Sequence, residues 1–310
     1  MRIYIIIYIL LGLSCCAYSQ NLNVCFYNVE NLFDTKDDPS KEDNNFTPDG
    51  EKRWNESKYN DKLQKIGKAI IASCKYKAPH IIGLAEIENK KVLNDLIKKT
   101  PLKYYPYKII HYPSNDPRGI DCALLYLSND IEIIRDTFLR PMSPLKQTRD
   151  IIYTQLSFHK DTFNVYVNHW PSRYNGKKKT AHKRMEISNF LASKIKTNEN
   201  NILMGDFNDN PTDYSIQNLL SKGKLQACKG DNSAHGTIKY KGDWYYFDYF
   251  YLSKNLVNRS IYYSASEIDW LFTKDEKHTG YKPFRSWQGP KYLGGFSDHL
   301  PIFMEISVSN

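Results

Sequence analysis

At 310 residues, 41% of them apolar and 25% charged, the chain can bury a deep core and is too apolar for intrinsic disorder. Forty-three Lys and Arg against 34 Asp and Glu give a formal charge of +9. That balance suits an anionic partner such as nucleic acid or anionic lipid, and it is also common among soluble secreted proteins.

The chain opens with Arg2, the almost wholly apolar Ile3–Leu13, and "SCCAYSQ". A basic residue, an apolar run and the small-residue pattern Ala17-Tyr18-Ser19 predict a secretory signal cut after Ser19. The run is short for a bilayer span, which needs about 20 residues. A secreted or periplasmic protein starting near Gln20 is expected, with no membrane span left. Loss of Arg2 takes the charge from +9 to +8. A lipoprotein anchor on Cys15 or Cys16 is the alternative, but the residues before each cysteine fit that pattern poorly. Cys25, Cys74, Cys122 and Cys228 remain, widely spaced and without a C-x-x-C pair, so no zinc site is suggested. Three of the four sit in apolar contexts and predict buried thiols, although an oxidising compartment would permit disulfides.

Val24–Tyr27 reads as a strand. "YNDKLQKIGKAIIASC" (59–74) has apolar residues at helical spacing, and "PHIIGLAEIEN" reads as a buried strand that ends in acids. Val92–Lys99 reads as a helix. Cys122–Tyr126, Ile131–Phe138, Ile151–Phe158 and Thr162–Asn168 read as strands, several of them alternating. Thr180–Lys196 predicts a helix; Ile202–Met204, Phe247–Leu252 and Leu300–Ser307 predict strands. Stretches 34–58, 172–180 and 276–296 read as irregular. No repeat or low-complexity linker interrupts this order, so residues 20–310 are expected to form one domain. Strands outnumber helices and polar residues cluster just past strand ends, the layout of a layered α/β domain with its site on loops.

Those clusters are "FYNVEN" (Asn28, Glu30), "GLAEIEN" (Glu86, Glu88), "VNHWPSR" (His169, Arg173), "GDFND" (Asp206, Asn208) and "FSDHLP" (Asp298, His299). A sixth, "YYFDYF", sets Asp248 alone among aromatics, where a carboxylate is costly to bury unless paired. A histidine is its expected partner, oriented by the carboxylate. Each cluster has a plainer reading. Asn28 fits a turn cap, Glu86 a helix start, His169 a satisfied core histidine, and "SDH" an N-cap. Asp206 and Asn208 fit a turn, and Asp248 a solvent-facing residue of an alternating strand. Together, strand ends carrying Asn, Glu, His and Asp suit oxygen-ligand, hard-metal chemistry at a phosphate.

The order and wording of these motifs resemble the endonuclease/exonuclease/phosphatase superfamily, with matching elements from about residue 22 to 308. "GDFN" followed by "SDHLP", with Asp248 between them and Glu86 after the second strand, carries the resemblance. It implies an α/β fold: a four-layer α/β/β/α sandwich, two mainly antiparallel sheets packed face to face with helices outside. It implies Asn28, Glu86 and Asp298 around a divalent cation, Mg²⁺ or else Mn²⁺ or Ca²⁺. It further implies His299 and Asp248 as a catalytic pair, and Asp206 and Asn208 as the pair that positions phosphate and attacking water. His169 matches the second histidine of the deoxyribonuclease-like and sphingomyelinase-like branches. The carboxylate that partners it there is not obvious here, and Asp121 is a weak candidate. Whether Asp206 or the His299–Asp248 pair takes the water's proton stays open.

The resulting expectation is a secreted, monomeric, metal-dependent phosphodiester hydrolase, foremost an endonuclease on nucleic acid. A phospholipid or sphingomyelin phosphodiesterase and a small-molecule phosphatase are the alternatives, and a binding protein that has lost the chemistry is the fourth. Basic stretches such as "NGKKKTAHKR" (175–184) suit the nuclease as tracks for a phosphate backbone, and the same run reads equally as a solvated loop and helix start. Residues 50–62 and 169–179 are expected to form one wall of the cleft, with Arg53, Arg118 and Arg173 as substrate contacts.

Overall fold

The computed structural model describes residues 21–141, 148–228, 230 and 235–308. The expected signal segment, with Arg2, Cys15 and Cys16, lies outside the described residues. The main strands of the first half are β1 (Leu22–Leu32), β2 (Ile81–Ile87), β3 (Tyr107–His111), β4 (Asp121–Leu127), β5 (Glu132–Leu139), β6 (Ile151–Phe158) and β7 (Asp161–His169). They are followed by β8 (Asn201–Asp206), β9 (Leu225–Ala227), β10 (Ile238–Tyr240), β11 (Asp243–Tyr245), β12 (Asp248–Ser253) and β13 (Ser260–Ala265). Short pairs β14 (Phe272–Lys274) with β15 (Tyr281–Pro283), and β16 (Trp287–Gln288) with β17 (Lys291–Tyr292), precede β18 (Ile302–Ile306). The helices are α1 (Glu56–Ser73), α2 (Lys90–Lys99), α3 (Lys177–Lys194), α4 (Tyr214–Gly223) and the single turn α5 (Lys254–Val257).

Two six-stranded sheets result, in the orders β13-β18-β1-β2-β4-β3 and β5-β6-β7-β8-β12-β9. Each contains one parallel pair, β1 with β2 and β7 with β8; the other pairs are antiparallel. Strand alternation builds the layers. Val24 and Phe26 of β1, Val165 and Val167 of β7, Ile202 and Met204 of β8, and Phe250 and Leu252 of β12 meet between the sheets. Cys25, Tyr27 and Val29 point the other way, beneath α1 and α2. Leu203, Tyr251 and Tyr166 lie beneath α3 and α4. The four-layer sandwich expected from the sequence is therefore the fold.

The helices form for local reasons. Asn55 caps α1 by accepting from the Lys58 amide at 3.1 Å, and Asn89 caps α2 by accepting from Lys91 and Val92. Tyr59, Leu63, Ile66 and Ile70 make the stripe that α1 lays on its sheet, each fully buried. Burial of one such side chain stabilises by about 1.5–3 kcal/mol. Gly205 is fixed by crowding: a Cβ there would sit 2.3 Å from the Asn168 carbonyl oxygen on β7. Cys25, Cys74, Cys122 and Cys228 are buried free thiols, as expected. No helix among the described residues is long and apolar enough to cross a membrane.

Several elements differ from the sequence expectation. β1 runs on to Leu32, and α3 begins three residues early, at Lys177. β3, α4, β13 and the β10–β11 hairpin stand where no element was expected, and part of 276–296 pairs as β15 to β17.

Candidate active site

The interior stripe of each sheet changes chemistry at one end of the sandwich. On β1 it runs Val24, Phe26, Asn28; on β8 Ile202, Met204, Asp206; on β7 Val165, Val167, His169; on β12 it starts at Asp248 and continues Phe250, Leu252. Equal parity sends these polar side chains into the same inter-sheet space as the apolar ones. The mouth of the sandwich is thus lined by Asn28, His169, Asp206 and Asp248, all buried. Glu86 joins from β2 and His299 from the segment before β18.

Backbone shape aims two of them. Glu86 has φ of +65° and Asn208 of +51°, left-handed values that cost a non-glycine residue about 1 kcal/mol or more. The Asn208 amide donates to Asp206 Oδ1 at 3.0 Å, and the Asn208 side-chain amide donates to the Trp170 carbonyl at 3.0 Å. "GDFND" is therefore a turn that fixes a carboxylate. His299 is held by its own backbone. Its amide donates to Ser297 Oγ at 3.1 Å, and that hydroxyl donates to the Asn28 carbonyl at 2.7 Å. Thr237 stitches the other side, accepting from the Phe247 and Asp248 amides on its hydroxyl and from Leu300 on its carbonyl.

Asp206 is the centre of the arrangement. Its Oδ2 accepts from the Asn28 amide at 3.1 Å and lies 3.6 Å from His169 Nε2 and 3.8 Å from His299 Nε2. His299 Nδ1 meets Asp248 Oδ2 at 2.7 Å. Burial opposes a charge on His299, but Asp248 and then Asp206 outweigh it and hold the imidazole pKa well above the usual histidine range. His169 goes the other way. Burial, then Arg149, Arg118 and His299, push its pKa well below that range, and its Nδ1 has no partner among the described residues. Burial, partly offset by His299 and reinforced by Asp248, pushes Asp206 up to about 7.

A second acidic group flanks this one. Glu86 Oε2 accepts from the Asn31 amide at 2.9 Å, while Oε1 meets only the Asn28 amide at 3.4 Å and His169 at 3.8 Å. Glu30, Glu86 and Asp298 all act on Lys62 and Arg285. Arg285 Nη2 donates to Asp298 at 3.0 Å, and Glu30 accepts from the Ser286 amide at 2.6 Å. Burial and Asp298 push Glu30 up to about 7, and burial brings the fully buried Lys62 down to about 8. Among the described residues, Asp206, Asp248 and His299 place ligand atoms within 4.8 Å of one another and could hold a metal.

Not every expected residue reaches this centre. Asp121 does not partner His169: it accepts from the Ser114 amide at 2.8 Å and faces His111 Nε2 at 2.9 Å. Arg173 is committed to the turn, donating to the Asn208 carbonyl at 2.7 Å and pairing with Asp209 and Asp213. Arg53 is exposed, and its carbonyl receives Lys58 Nζ. In its segment Lys52 lies over the Trp287 ring, 4.5 Å from the centroid. Arg118 does lie beside the centre, paired with Asp116. Sequence reasoning missed Arg149, a buried cation that donates to Asp116 at 3.1 Å and to the Trp170 carbonyl at 2.6 Å. It also passed over Arg184, fully buried on α3 and paired with Asp209 at 2.7 Å.

The sequence profile of the "Endonuclease/Exonuclease/phosphatase family" matches residues 23–308, nearly the whole chain. The chain belongs to the endonuclease/exonuclease/phosphatase family. Its members hydrolyse phosphoesters, so this family fold carries a phosphoesterase centre. Among solved structures, a family protein from Bacteroides thetaiotaomicron is 18% identical, with 94% of this chain and 99% of that one covered at a TM-score of 0.60. The mannosyl-6-phosphatase of the same organism is 19% identical, with 93% and 100% covered and a TM-score of 0.60. The human Nocturnin catalytic domain with bound sulfate is 17% identical, with 93% and 95% covered and a TM-score of 0.56. At these identities the likeness is one of fold. No curated protein sequence matches the chain.

Proposed function

We propose that this family member is an exported, divalent-metal-dependent phosphodiester hydrolase that cuts nucleic acid. The observation that supports it most is Asp206 set between two histidines, 3.6 and 3.8 Å away, whose pKa values are pushed in opposite directions by their neighbours. A diester hydrolysis needs a base for water, a proton for the leaving oxygen and charge beside the phosphate. Asp206, pushed up to about 7, suits the base. His299, protonated and braced by Asp248, suits the proton donor. His169, neutral, offers an Nε2–H to a phosphate oxygen.

The fit of a cation rests on Glu86. Its Oε1 is the least satisfied carboxylate oxygen of the centre, with partners no nearer than 3.4 Å. Glu86, Asn28 and Asp298 form an oxygen-only donor set suited to Mg²⁺, or to Mn²⁺ or Ca²⁺. A cation there would neutralise charge on a non-bridging phosphate oxygen. Binding it would draw Asp298 away from Arg285. His299 is the poorer ligand, because an imidazole held protonated beside Asp248 has no free lone pair to offer a cation.

The test is cleavage of supercoiled plasmid and single-stranded RNA by the protein in Mg²⁺ or EDTA, beside His299→Ala. Metal-dependent cleavage that disappears in the variant supports the reading. Intact polymers alongside turnover of mannose 6-phosphate or sphingomyelin would replace it with a phosphatase or a lipid phosphodiesterase.

A further inference from the structure

A cleft of about 830 Å³ opens beside the candidate active site and is unused by the chemistry above. Arg118, Arg149, Lys179 and Lys183 line it, against the carboxylates of Glu42 and Asp116. Asp116 is shared by both arginines, at 3.1 Å from each, so the two guanidinium groups stand together over one carboxylate. Lys179 and Lys183 are exposed and have no ion-pair partner among the described residues. Two buried donors remain unspent in the lining. Thr148 Oγ1 and Arg149 Nε have no hydrogen-bond partner among the described residues, although Thr148 is 5% and Arg149 6% exposed. Buried polar groups are normally paired, so two orphans on one cationic wall point to a missing acceptor. The start of α3 adds its unpaired amides: Gly176 caps it with no side-chain bond, and Asn175 and Thr180 line the cleft.

The wall is rigid and tied to the centre. Arg184 donates from α3 to the Pro171 carbonyl and pairs with Asp209, joining the helix to the loops after β7 and β8. The Trp170 carbonyl accepts from both Arg149 and Asn208, so cleft and centre share an atom. The cleft wall is thereby tied to the turn that carries Asp206 and Asn208.

We propose that this cleft holds a second phosphate group of the substrate, next to the one that is cut. The assignment rests on the phosphodiesterase reading for the cut itself, but the anion site stands without it. A single-phosphate sugar ester would leave the cleft idle, whereas a nucleic acid strand supplies the neighbouring phosphate.

Two arms test the site separately from the reaction. Inorganic pyrophosphate is titrated calorimetrically into the full chain in EDTA, against the Lys179→Ala/Lys183→Ala variant, whose helix surface changes leave the core untouched. Affinity is expected to fall about tenfold in the variant, and Thr148→Val should weaken binding further. Equal affinity in wild type and variant overturns the site. The second arm compares KM in Mg²⁺ for a dinucleotide with and without a terminal 5′-phosphate. The wild type should favour the phosphorylated one, with kcat little changed, and the variant should lose that preference. Equal KM values for the wild type overturn the second-phosphate role. Pyrophosphate binding that depends on the lysines, with neither dinucleotide cut, keeps the anion site and removes the nuclease reading.

Discussion

The two walls beside Asp206 carry the same residue type and treat it in opposite ways. On one wall His299 stands against a buried carboxylate at 2.7 Å and is held protonated. On the other, His169 faces no carboxylate through its Nδ1, has Arg118 and Arg149 behind it, and is held neutral. Both rings are nearly as buried as each other, at 6% and 4% exposure, so burial alone does not set the difference. The neighbouring charges do. One wall is thus built to store a proton and the other to receive negative charge.

The largest test of that contrast is activity. His299→Ala should lower kcat/KM by roughly 10²–10⁴-fold, the usual worth of a positioned acid or base. His169→Gln should cost only about tenfold, the scale of one hydrogen bond. Single-turnover cleavage measures both; equal losses would erase the distinction. The basic wall can also be broken structurally. Arg184→Leu strips a buried partner from Asp209 and should destabilise the fold by about 3–5 kcal/mol, read by urea unfolding. A change below about 1 kcal/mol, the scale of an exposed ion pair, would mean that Arg184 does not anchor α3.

Smaller effects sharpen the charge assignment. Asp248→Asn removes the main support of the His299 proton, so its pKa should fall, and Arg149→Gln should raise that of His169. Histidine NMR titrations in EDTA read both, and unchanged values would refute the stated causes. The smallest effect is on the pH dependence of stability. The folded pKa of His299 is raised, so its contribution is fully present below about pH 6.5 and is lost as pH rises through the folded pKa. The folded pKa of His169 is depressed, so the unfolded chain alone gains a proton below about pH 6.5, and stability falls on acidification. Each slope is at most about 1.4 kcal/mol per pH unit. The wild-type minus His299→Gln difference should slope down above neutrality, and the His169→Gln difference should slope up with pH below it.

The parts legible in sequence were those with a local signature. β2, β8 and β12 are buried on both faces and read as apolar runs, and α1 carries a regular stripe. β13 reads "SIYYSA" and β3 "YKIIH", too polar and too short to separate from loop; sheet pairing, not pattern, makes them strands. At the site, Asp206, Asn208, Asp248 and His299 stood out because a polar residue against an apolar run is visible in one dimension. Arg149 and Arg184 did not. Their roles come from Asp116, Trp170 and Asp209, which only folding brings near. Asp121 misled for the same reason, since its partner His111 lies on β3, a strand with no signature of its own. Arg173 sat in the right motif but spends its guanidinium on the turn.

The most direct measurement compares kcat/KM in Mg²⁺ for bis(4-nitrophenyl) phosphate and 4-nitrophenyl phosphate, a diester and a monoester with one leaving group. The account predicts a diester preference of about tenfold or more, abolished by EDTA, with His299→Ala costing far less on these esters, whose leaving group departs without a proton, than on nucleic acid. A monoester preference, or diester turnover that survives EDTA, would contradict the account.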